Sequence, residues 1–226
     1  MLCKKSKINY CSSWGSDLQF PCRYGNISQM NYLAHLYLAQ PTADSHFGNL
    51  LGDFCRGLDT SVYSQPVLAG LNNHRRVDRF TDAHPEVLAA KSVFSRRRRR
   101  FAGIALDVLF DHFLIRHWAQ YNDQAFDDFC QQAYARLERR LPMMPPRMQR
   151  VVSMMIQHHW MAHYRTLEGV GQALDRIADR IRFQHQFYGS VEELACHYDQ
   201  LESRFLRFFP ELVDHIDPNT RASKSV

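Results

Sequence analysis

The chain has 226 residues, of which 45% are hydrophobic and 23% charged, and its formal net charge is +5 at pH 7. This composition is that of a globular protein with a buried core, and it excludes fibrous and disordered chains. The apolar segment 101–115 is interrupted by Asp107, Asp111 and His112, so we predict no membrane partner. The mild basic excess suits an acidic partner, but by itself it does not indicate nucleic acid.

The two ends of the chain differ from the rest. Residues 1–29 hold three of the six cysteines and show no periodic pattern, whereas helical spacing begins at Met30. We interpret 1–29 as a disordered or non-native extension, 30–215 as one catalytic helical domain, and 216–226 as a frayed tail. The cysteines form no CxxC pair, which favours reduced thiols and a cytoplasmic location.

The patterned region is helical throughout. Apolar residues recur at helical spacing from Met30 until Pro41, and a short apolar stretch follows at 49–54. Further helices are predicted at about 66–80, 85–95, 101–118, 123–140, 146–167, 169–187 and 190–208. No alternating strand pattern and no glycine-rich phosphate loop is visible in the sequence. The sequence therefore predicts a single all-α domain of about seven helices, with 101–118 as the buried central one.

The sharpest polar pattern is His74, Asp78 and Asp82, spaced i, i+4 and i+8. On a helix these three side chains share one face. An imidazole and a carboxylate one turn apart can bind one divalent metal ion. The alternative is a solvated polar face with an ordinary His–Asp pair.

A second pattern, Asp107, Asp111 and His112, lies inside the most apolar predicted helix. A buried carboxylate is costly unless it is paired or binds a metal ion, so these residues require a common explanation. One explanation is a metal site. The other is a buried hydrogen-bond network, or a cap on the start of a neighbouring helix.

Two further candidates depend on their surroundings. Asp53 follows an apolar run and is bracketed by glycines, so Asp53 and Arg56 form either a surface turn or a ligand and a phosphate-binding cation. His35 lies on an apolar face, where a histidine is more often a core residue than a ligand. His159 and His163 are one turn apart, but no acid accompanies them, so we favour a surface or supporting role.

Five consecutive arginines, Arg96, Arg97, Arg98, Arg99 and Arg100, concentrate positive charge in one segment. Such a run can be a solvated face. Nucleic-acid binding is disfavoured because no aromatic residues interleave the run. The remaining interpretation is docking of an acidic protein through complementary charge.

Asp53, His74, Asp78, Asp111 and His112 are all His or Asp, and together they suit Mn²⁺, with Mg²⁺ or Fe²⁺ as alternatives. A metal ion of this kind polarises a phosphoryl oxygen and lowers the pKa of a bound water. Arg75 and Arg76 would stand beside it. An all-helical His/Asp site with neighbouring arginines predicts a phosphohydrolase.

Four ordered segments, with a fifth near the C-terminus, resemble the bacterial acyl carrier protein phosphodiesterase family. They read MNYLAHLYLA from Met30, GNLLGDFCRG from Gly48, HRRVDRFTD from His74, LDVLFDHFL from Leu106 and CHYDQLESRF from Cys196. The resemblance spans about residues 30–212. The arginine run and the histidines at 158–163 are not part of it.

This resemblance implies a fold distantly related to the HD phosphohydrolases. It also implies a Mn²⁺-dependent hydrolase that converts holo-acyl carrier protein to the apo form and 4′-phosphopantetheine. Asp53 matches an aspartate of the family pattern and is carried over as a metal ligand. One departure from the usual HD order is that Asp111 precedes His112.

The residues and the resemblance together predict roles for the catalytic side chains. Arg75 or Arg76, with Arg56 as an alternative, would neutralise charge on the phosphoryl oxygens, and His35 is a candidate proton donor to the leaving serine. The arginine run would dock the acidic carrier. Two other hypotheses stay open: an HD-like enzyme acting on nucleotides, and a non-catalytic helical module that docks an acidic partner.

Overall fold

The computed structural model describes residues 32–217, and the predicted extension and residues 218–226 lie outside that range. Within it the chain is all-α, which confirms the predicted class, but it contains twelve α-helices rather than about seven. The helices are α1 Tyr32–Tyr37, α2 Ala43–Leu51, α3 Gln65–Ala83, α4 Pro85–Ser92, α5 Ala102–Arg116, α6 Trp118–Tyr121, α7 Phe126–Glu138, α8 Pro146–Gln157, α9 Trp160–His163, α10 Leu167–Ala178, α11 Ser190–Cys196 and α12 Tyr198–Ile216.

The higher count arises where predicted helices break. The helix predicted over 146–167 divides into α8 and α9 because His159 takes a left-handed conformation with φ 49°. The last predicted helix divides at His197. Beyond that break, α12 runs past the predicted end at about 208, continues through Pro210 and reaches Ile216.

Helix α5 is the centre of the core, as its apolar sequence predicts. Val108, Leu109, Phe113 and Leu114 are completely buried. Helices α1, α4, α10, α11 and α12 all pack on α5. Because α5 is covered on every side, the carboxylates that it carries lie inside the protein.

Helices α2 and α3 approach each other backbone to backbone, and glycines permit this contact. A Cβ atom on Gly48 would overlap the Val67 carbonyl oxygen, and one on Gly70 would lie 2.7 Å from the Ser45 carbonyl oxygen. Only glycine leaves this space free. The close packing brings the end of α2 against the side of α3 that carries His74.

Cys55 and Cys130 are free thiols, whereas Cys196 is disulfide-bonded, so the prediction of reduced cysteines holds for the first two only. Among residues 32–217 no helix is long and apolar enough to cross a membrane.

Candidate active site

Two histidines from separate helices meet at one carboxylate. His35 Nε2 of α1 lies 3.3 Å from Asp78 Oδ1, and His74 Nε2 lies 3.0 Å from Asp78 Oδ2 in α3. The two imidazole rings stack with centroids 4.1 Å apart. One ligand atom from each of the three residues falls within 4.8 Å of the other two, which is a geometry that a single metal ion can occupy. We call His35, His74 and Asp78 the His–Asp cluster.

The cluster is buried at its imidazoles and open at its carboxylate. Both histidines are buried, and the Asp78 side chain is 30% exposed. Burial and the neighbouring His74 lower the pKa of His35 to about 4, so this imidazole is neutral at pH 7. Burial also acts to lower the pKa of His74, but the hydrogen bond and charge of Asp78 outweigh it and raise that pKa. Although burial opposes it, the two imidazoles hold the pKa of Asp78 below its usual range.

The donor atoms of the cluster are of the kinds that bind a divalent metal ion. Two imidazole nitrogens and a carboxylate oxygen are a donor set typical of Mn²⁺, Fe²⁺ and Zn²⁺. His35 Nδ1 is buried and has no hydrogen-bond partner among residues 32–217. A neutral imidazole with Nε2 directed at an open carboxylate is therefore suited to binding a metal ion.

Asp53 and Gly52 complete the wall beside His74. A Cβ atom on Gly52 would overlap the His74 ring, so the ring rests directly on this glycine. Asp53 follows in the short 3₁₀ turn Gly52–Phe54, and its charge acts to raise the pKa of His74. The structure therefore places Asp53 next to the cluster, although it lies outside the three-residue group within 4.8 Å.

Asp111 does not join the cluster directly. Its carboxylate is fully buried and accepts hydrogen bonds from the backbone N–H groups of Leu33 at 3.1 Å and Ala34 at 3.0 Å. These are amides of the first turn of α1, which have no partner inside the helix. Asp111 therefore caps α1, as the second explanation for the pattern of Asp107, Asp111 and His112 predicts. This cap also orients the helix that carries His35. Burial, only partly offset by these amides, raises the pKa of Asp111 to about 8.

His112 is directed away from the cluster. Its Nδ1 lies 2.7 Å from the carbonyl oxygen of Tyr164, and its Nε2 lies 2.6 Å from the hydroxyl of Tyr198. Both ring nitrogens are engaged in these contacts. The predicted ligand set requires His112 to meet His74 and Asp78, and the structure does not bring them together. Asp111 and His112 are adjacent on α5, so their side chains face different neighbours.

Asp107, one turn before Asp111, is a buried carboxyl that the predicted ligand set omits. Burial and the charges of Asp78, Asp111 and Asp53 raise its pKa far above its usual range. Its Oδ2 has no hydrogen-bond partner within the described part of the chain. The sequence feature that points to Asp107 is its i, i+4 spacing to Asp111 within an apolar helix.

The two arginines after His74 have different surroundings. Both are exposed, but Arg76 donates a hydrogen bond from Nη2 to the carbonyl oxygen of His215 at 2.9 Å. Arg75 lies three residues before Asp78, on the same side of α3. Asp82, the third residue of the sequence pattern, pairs with Lys91 at 2.9 Å instead of joining the cluster.

The arginine run is partly structural. Arg98 donates to the carbonyl oxygens of Gln186 and Tyr188 and pairs with Glu193 at 3.2 Å. Arg99 and Arg100 also donate to backbone carbonyl oxygens, and the Arg100 guanidinium lies over the rings of Phe101 and Phe183. Arg96 and Arg97 are exposed. Within the run, these two arginines make no hydrogen bond or ion pair with residues 32–217, so their guanidinium groups are free to meet a partner.

The histidines near 160 lie apart from the cluster. His163 Nε2 is 3.1 Å from the carbonyl oxygen of His158, and the His159 ring packs near Tyr134. Neither belongs to the metal-ligating group found among residues 32–217.

A family model described as acyl carrier protein phosphodiesterase matches residues 30–212. The chain belongs to this family. It is similar to the acyl carrier protein phosphodiesterase of Serratia proteamaculans (strain 568), with 40% identity over 81% of this chain and 96% of the relative. The relative of the same name in Enterobacter sp. (strain 638) shows the same identity and coverage. That of Escherichia coli O45:K1 is 38% identical over 82% of this chain and 96% of its own length. No solved structure matches the chain.

The family match covers all the residues of the site. His35, Asp53, His74, Asp78, Asp107 and Asp111 lie inside 30–212, and so does the arginine run. The resemblance predicted from the sequence segments is thereby confirmed.

Proposed function

We propose that the chain is a divalent-metal-dependent phosphodiesterase that hydrolyses holo-acyl carrier protein to the apo form and 4′-phosphopantetheine. The observation that carries the reaction class is the meeting of His35, His74 and Asp78 in one group. The substrate is inferred from the family, whose members are named for a phosphodiesterase activity on acyl carrier protein. We place this activity in the cytoplasm.

His35, His74 and Asp78 would hold the metal ion, with Asp53 beside them. The donor set accepts Mn²⁺, Fe²⁺ or Zn²⁺, and we propose Mn²⁺ because the family resemblance implies it. When bound, such an ion supplies positive charge to a phosphoryl oxygen and a water of lowered pKa. Asp111 holds α1 in place through Leu33 and Ala34, so His35 keeps its position relative to α3.

In the hydrolysis, a water oxygen forms a bond to phosphorus while the bond from phosphorus to the carrier's serine oxygen breaks. The attacking water releases a proton, the leaving serine oxygen takes one up, and the phosphate leaves attached to pantetheine. His35, predicted from the sequence as the proton donor, is neutral at pH 7 and is proposed here as a ligand instead. Arg75, exposed on the Asp78 side of α3, would bind the phosphoryl oxygens. Arg76 is less suited because its guanidinium already donates to His215.

Both imidazoles are buried, so the cluster can act only on a group that reaches its exposed carboxylate side. A phosphodiester that projects from the surface of a protein substrate meets this requirement. Only the carboxylate side of the cluster opens to solvent, so the phosphodiester must approach over Asp78. A serine-linked phosphodiester on a flexible arm can reach such an opening. Arg96 and Arg97 would attract the acidic carrier, and that attraction weakens with salt.

The test is to incubate the full chain with holo-acyl carrier protein and Mn²⁺ and to measure the intact mass of the carrier. We expect loss of the mass of the phosphopantetheine arm, and no loss with chelator or with the Asp78→Asn variant. The His158→Asn variant is the matched control and should remain active, because the His158 side chain is not part of the cluster. An unchanged carrier mass with Mn²⁺, Fe²⁺ and Mg²⁺, for a folded protein, would contradict the proposal. Hydrolysis of nucleotides in its place would support the nucleotide-directed alternative.

A further inference from the structure

The segment that joins α10 to α11, residues 181–189, presents an aromatic ring to solvent in a fixed position. Phe183 of this segment is 55% exposed. Its ring lies nearly parallel to the buried ring of Phe101, with centroids 6.3 Å apart and planes 12° apart. The Arg100 guanidinium lies over both rings, 4.6 Å from the Phe101 centroid and 4.7 Å from that of Phe183. Phe183 is therefore held by its neighbours and still exposes most of its apolar surface.

The arginine run holds this segment in place. Arg98 donates from Nε to the carbonyl oxygen of Gln186 at 2.8 Å and from Nη2 to that of Tyr188 at 2.6 Å. Arg100 donates from Nη2 to the carbonyl oxygen of Gln184 at 3.1 Å. Backbone carbonyl groups on both sides of Phe183 are thus bound by arginine side chains, which fixes the loop that carries the ring.

Positive charge and apolar surface meet at this place. Arg96 and Arg97 are exposed and precede Arg100 by four and three residues, so their guanidinium groups reach the same part of the surface. The run contains no aromatic residue in sequence, but the fold adds Phe183 to it from a distant part of the chain. We call Phe183, Arg96, Arg97 and Arg100 the Phe183 patch. An exposed ring among cations suits an acidic protein, because charge promotes encounter and a buried aromatic side chain supplies affinity.

A line of exposed side chains connects the Phe183 patch to the open side of the His–Asp cluster. Asp82 lies one turn after Asp78 on the same side of α3, roughly 5–6 Å away, and pairs with Lys91 at 2.9 Å. A Cβ atom on Gly103, three residues after Arg100, would lie 3.8 Å from Lys91 Cε. The side chains of Asp78, Lys91 and Asp82 are 30%, 28% and 55% exposed. A single protein can therefore cover the patch and the opening of the cluster together.

We propose that the chain docks acyl carrier protein through Phe183 as an apolar anchor, with Arg96 and Arg97 as the charged rim of the interface. The inference rests on the proposed function, in which the carrier is the substrate. The family is named for a protein substrate, which favours the carrier over a nucleic acid as the partner. The Phe183 ring packs on an apolar side chain among the carrier's acidic residues, while the phosphodiester lies over Asp78.

The first experiment measures binding of apo-acyl carrier protein, which lacks the arm, by isothermal titration calorimetry in chelator. Phe183→Ala should weaken this binding about tenfold or more. Phe183→Tyr keeps the ring and should bind within about twofold of the wild type. Val62→Ala is the matched control, because Val62 is 72% exposed but lies outside the Phe183 patch, and it should bind like the wild type. No binding by the wild type, or equal binding by Phe183→Ala, overturns the proposal.

Repeating the titration at high salt separates the ring from the charges. Salt should weaken binding by the wild type, but the difference between the wild type and Phe183→Ala should persist, because salt screens charges and not an apolar contact. A difference that vanishes with salt would mean that the ring is no anchor. Oligouridylate is the competing probe. If it binds more tightly than the carrier and depends in the same way on Phe183, the patch belongs to a nucleic acid and the proposal fails.

Hydrolysis of holo-acyl carrier protein with Mn²⁺ distinguishes failure of this inference from failure of the proposed function. Phe183→Ala should raise KM for the holo-carrier about tenfold and change kcat less than about twofold. If the wild type binds apo-carrier but leaves holo-carrier intact, the proposed function fails while the docking assignment stands. If the wild type hydrolyses holo-carrier and Phe183→Ala has an unchanged KM, the docking assignment alone is overturned.

Discussion

The rings of His35 and His74 stack at 4.1 Å although 38 residues of chain separate them, and both direct Nε2 at the Asp78 carboxylate. Two buried imidazoles in face-to-face contact repel each other if both are protonated. Their arrangement around one carboxylate is therefore best suited to sharing a cation.

Removing either imidazole should abolish tight binding of a divalent ion. Loss of one of three ligands should weaken Mn²⁺ binding by about a hundredfold or more, since even residues that only support ligands contribute about 10–100-fold. Isothermal titration calorimetry of His35→Asn and His74→Asn measures this. His158→Asn should bind Mn²⁺ as the wild type does. Unchanged affinity in both cluster variants would exclude this group as the metal site.

Gly52→Ala should act on the same site through sterics alone. The added Cβ overlaps the buried His74 ring, so the ring must leave the position in which its Nε2 meets Asp78. We expect Mn²⁺ affinity to fall about tenfold or more, with unfolding stability reduced by about 1–3 kcal/mol. Calorimetry and urea unfolding report the two effects separately.

Gly103→Ala is the control for this substitution. Gly103 lies in α5, and the nearest atom to an added Cβ is the flexible Lys91 Cε at 3.8 Å. An alanine there should leave Mn²⁺ binding unchanged and stabilise the helix by up to about 1 kcal/mol. If Gly52→Ala behaves in the same way, contact with Gly52 does not position His74.

Asp111 should stabilise the fold as a cap on α1. Its substitution should therefore destabilise the protein even when no metal ion is bound. Asp111→Ala leaves the buried amides of Leu33 and Ala34 without their acceptor, and we expect a loss of about 2–4 kcal/mol in the free energy of unfolding. Asp111→Asn, which keeps one acceptor, should lose less. Urea unfolding in the presence of chelator measures both variants. Wild-type stability in chelator, combined with lost Mn²⁺ binding, would instead make Asp111 a ligand.

Much of the fold was predictable because its signals are local. The helical spacing of apolar residues predicts α3 and α5, and the continuous apolar sequence of α5 predicts its central burial. The breaks were not predictable in the same way. His159 takes a left-handed conformation that its residue type does not require, and Pro210 lies inside α12 despite lacking a backbone donor.

The site was predictable where its residues lie on one helix. His74 and Asp78 are one turn apart, so the sequence alone places them together. The third member, His35, comes from α1 and could be assigned only from packing. Asp111 caps α1 across 78 residues of sequence, and His112 bonds to Tyr164 rather than to the cluster. No pattern in the neighbouring sequence predicts either contact. Residue type predicted the chemistry, whereas tertiary contacts decided which carboxylate serves which role.

Glu86 should make part of the stability depend on acid pH. Its carboxylate bonds to Arg204 at 2.7 Å and to Arg207 at 2.9 Å, which joins α4 to α12. The bond from Arg207, followed by that from Arg204, lowers the pKa of Glu86 from 4.5 to about 2. A carboxyl whose folded pKa is depressed stabilises the protein above the unfolded pKa, and this contribution declines as pH falls from about 4.5 to about 2.

Urea unfolding of Glu86→Gln between pH 7 and pH 2 measures this contribution. The variant should be less stable than the wild type at pH 7, and the difference should shrink below pH 4.5. Glu138→Gln is the control, because Glu138 is exposed at the end of α7, and it should show no such convergence. A difference that stays constant down to pH 2 would mean that the charge of Glu86 is not what joins the helices.

Arg97 should contribute to the docking of the acidic carrier by charge alone. Arg97→Glu should raise KM for holo-acyl carrier protein about three- to tenfold at low ionic strength and leave kcat unchanged, because the residue is exposed and is not part of the His–Asp cluster. The effect should fade at high salt. Arg139→Glu makes the same charge change at another exposed position, after α7, and should alter KM less. Equal effects of the two variants would assign docking to net charge rather than to the arginine run.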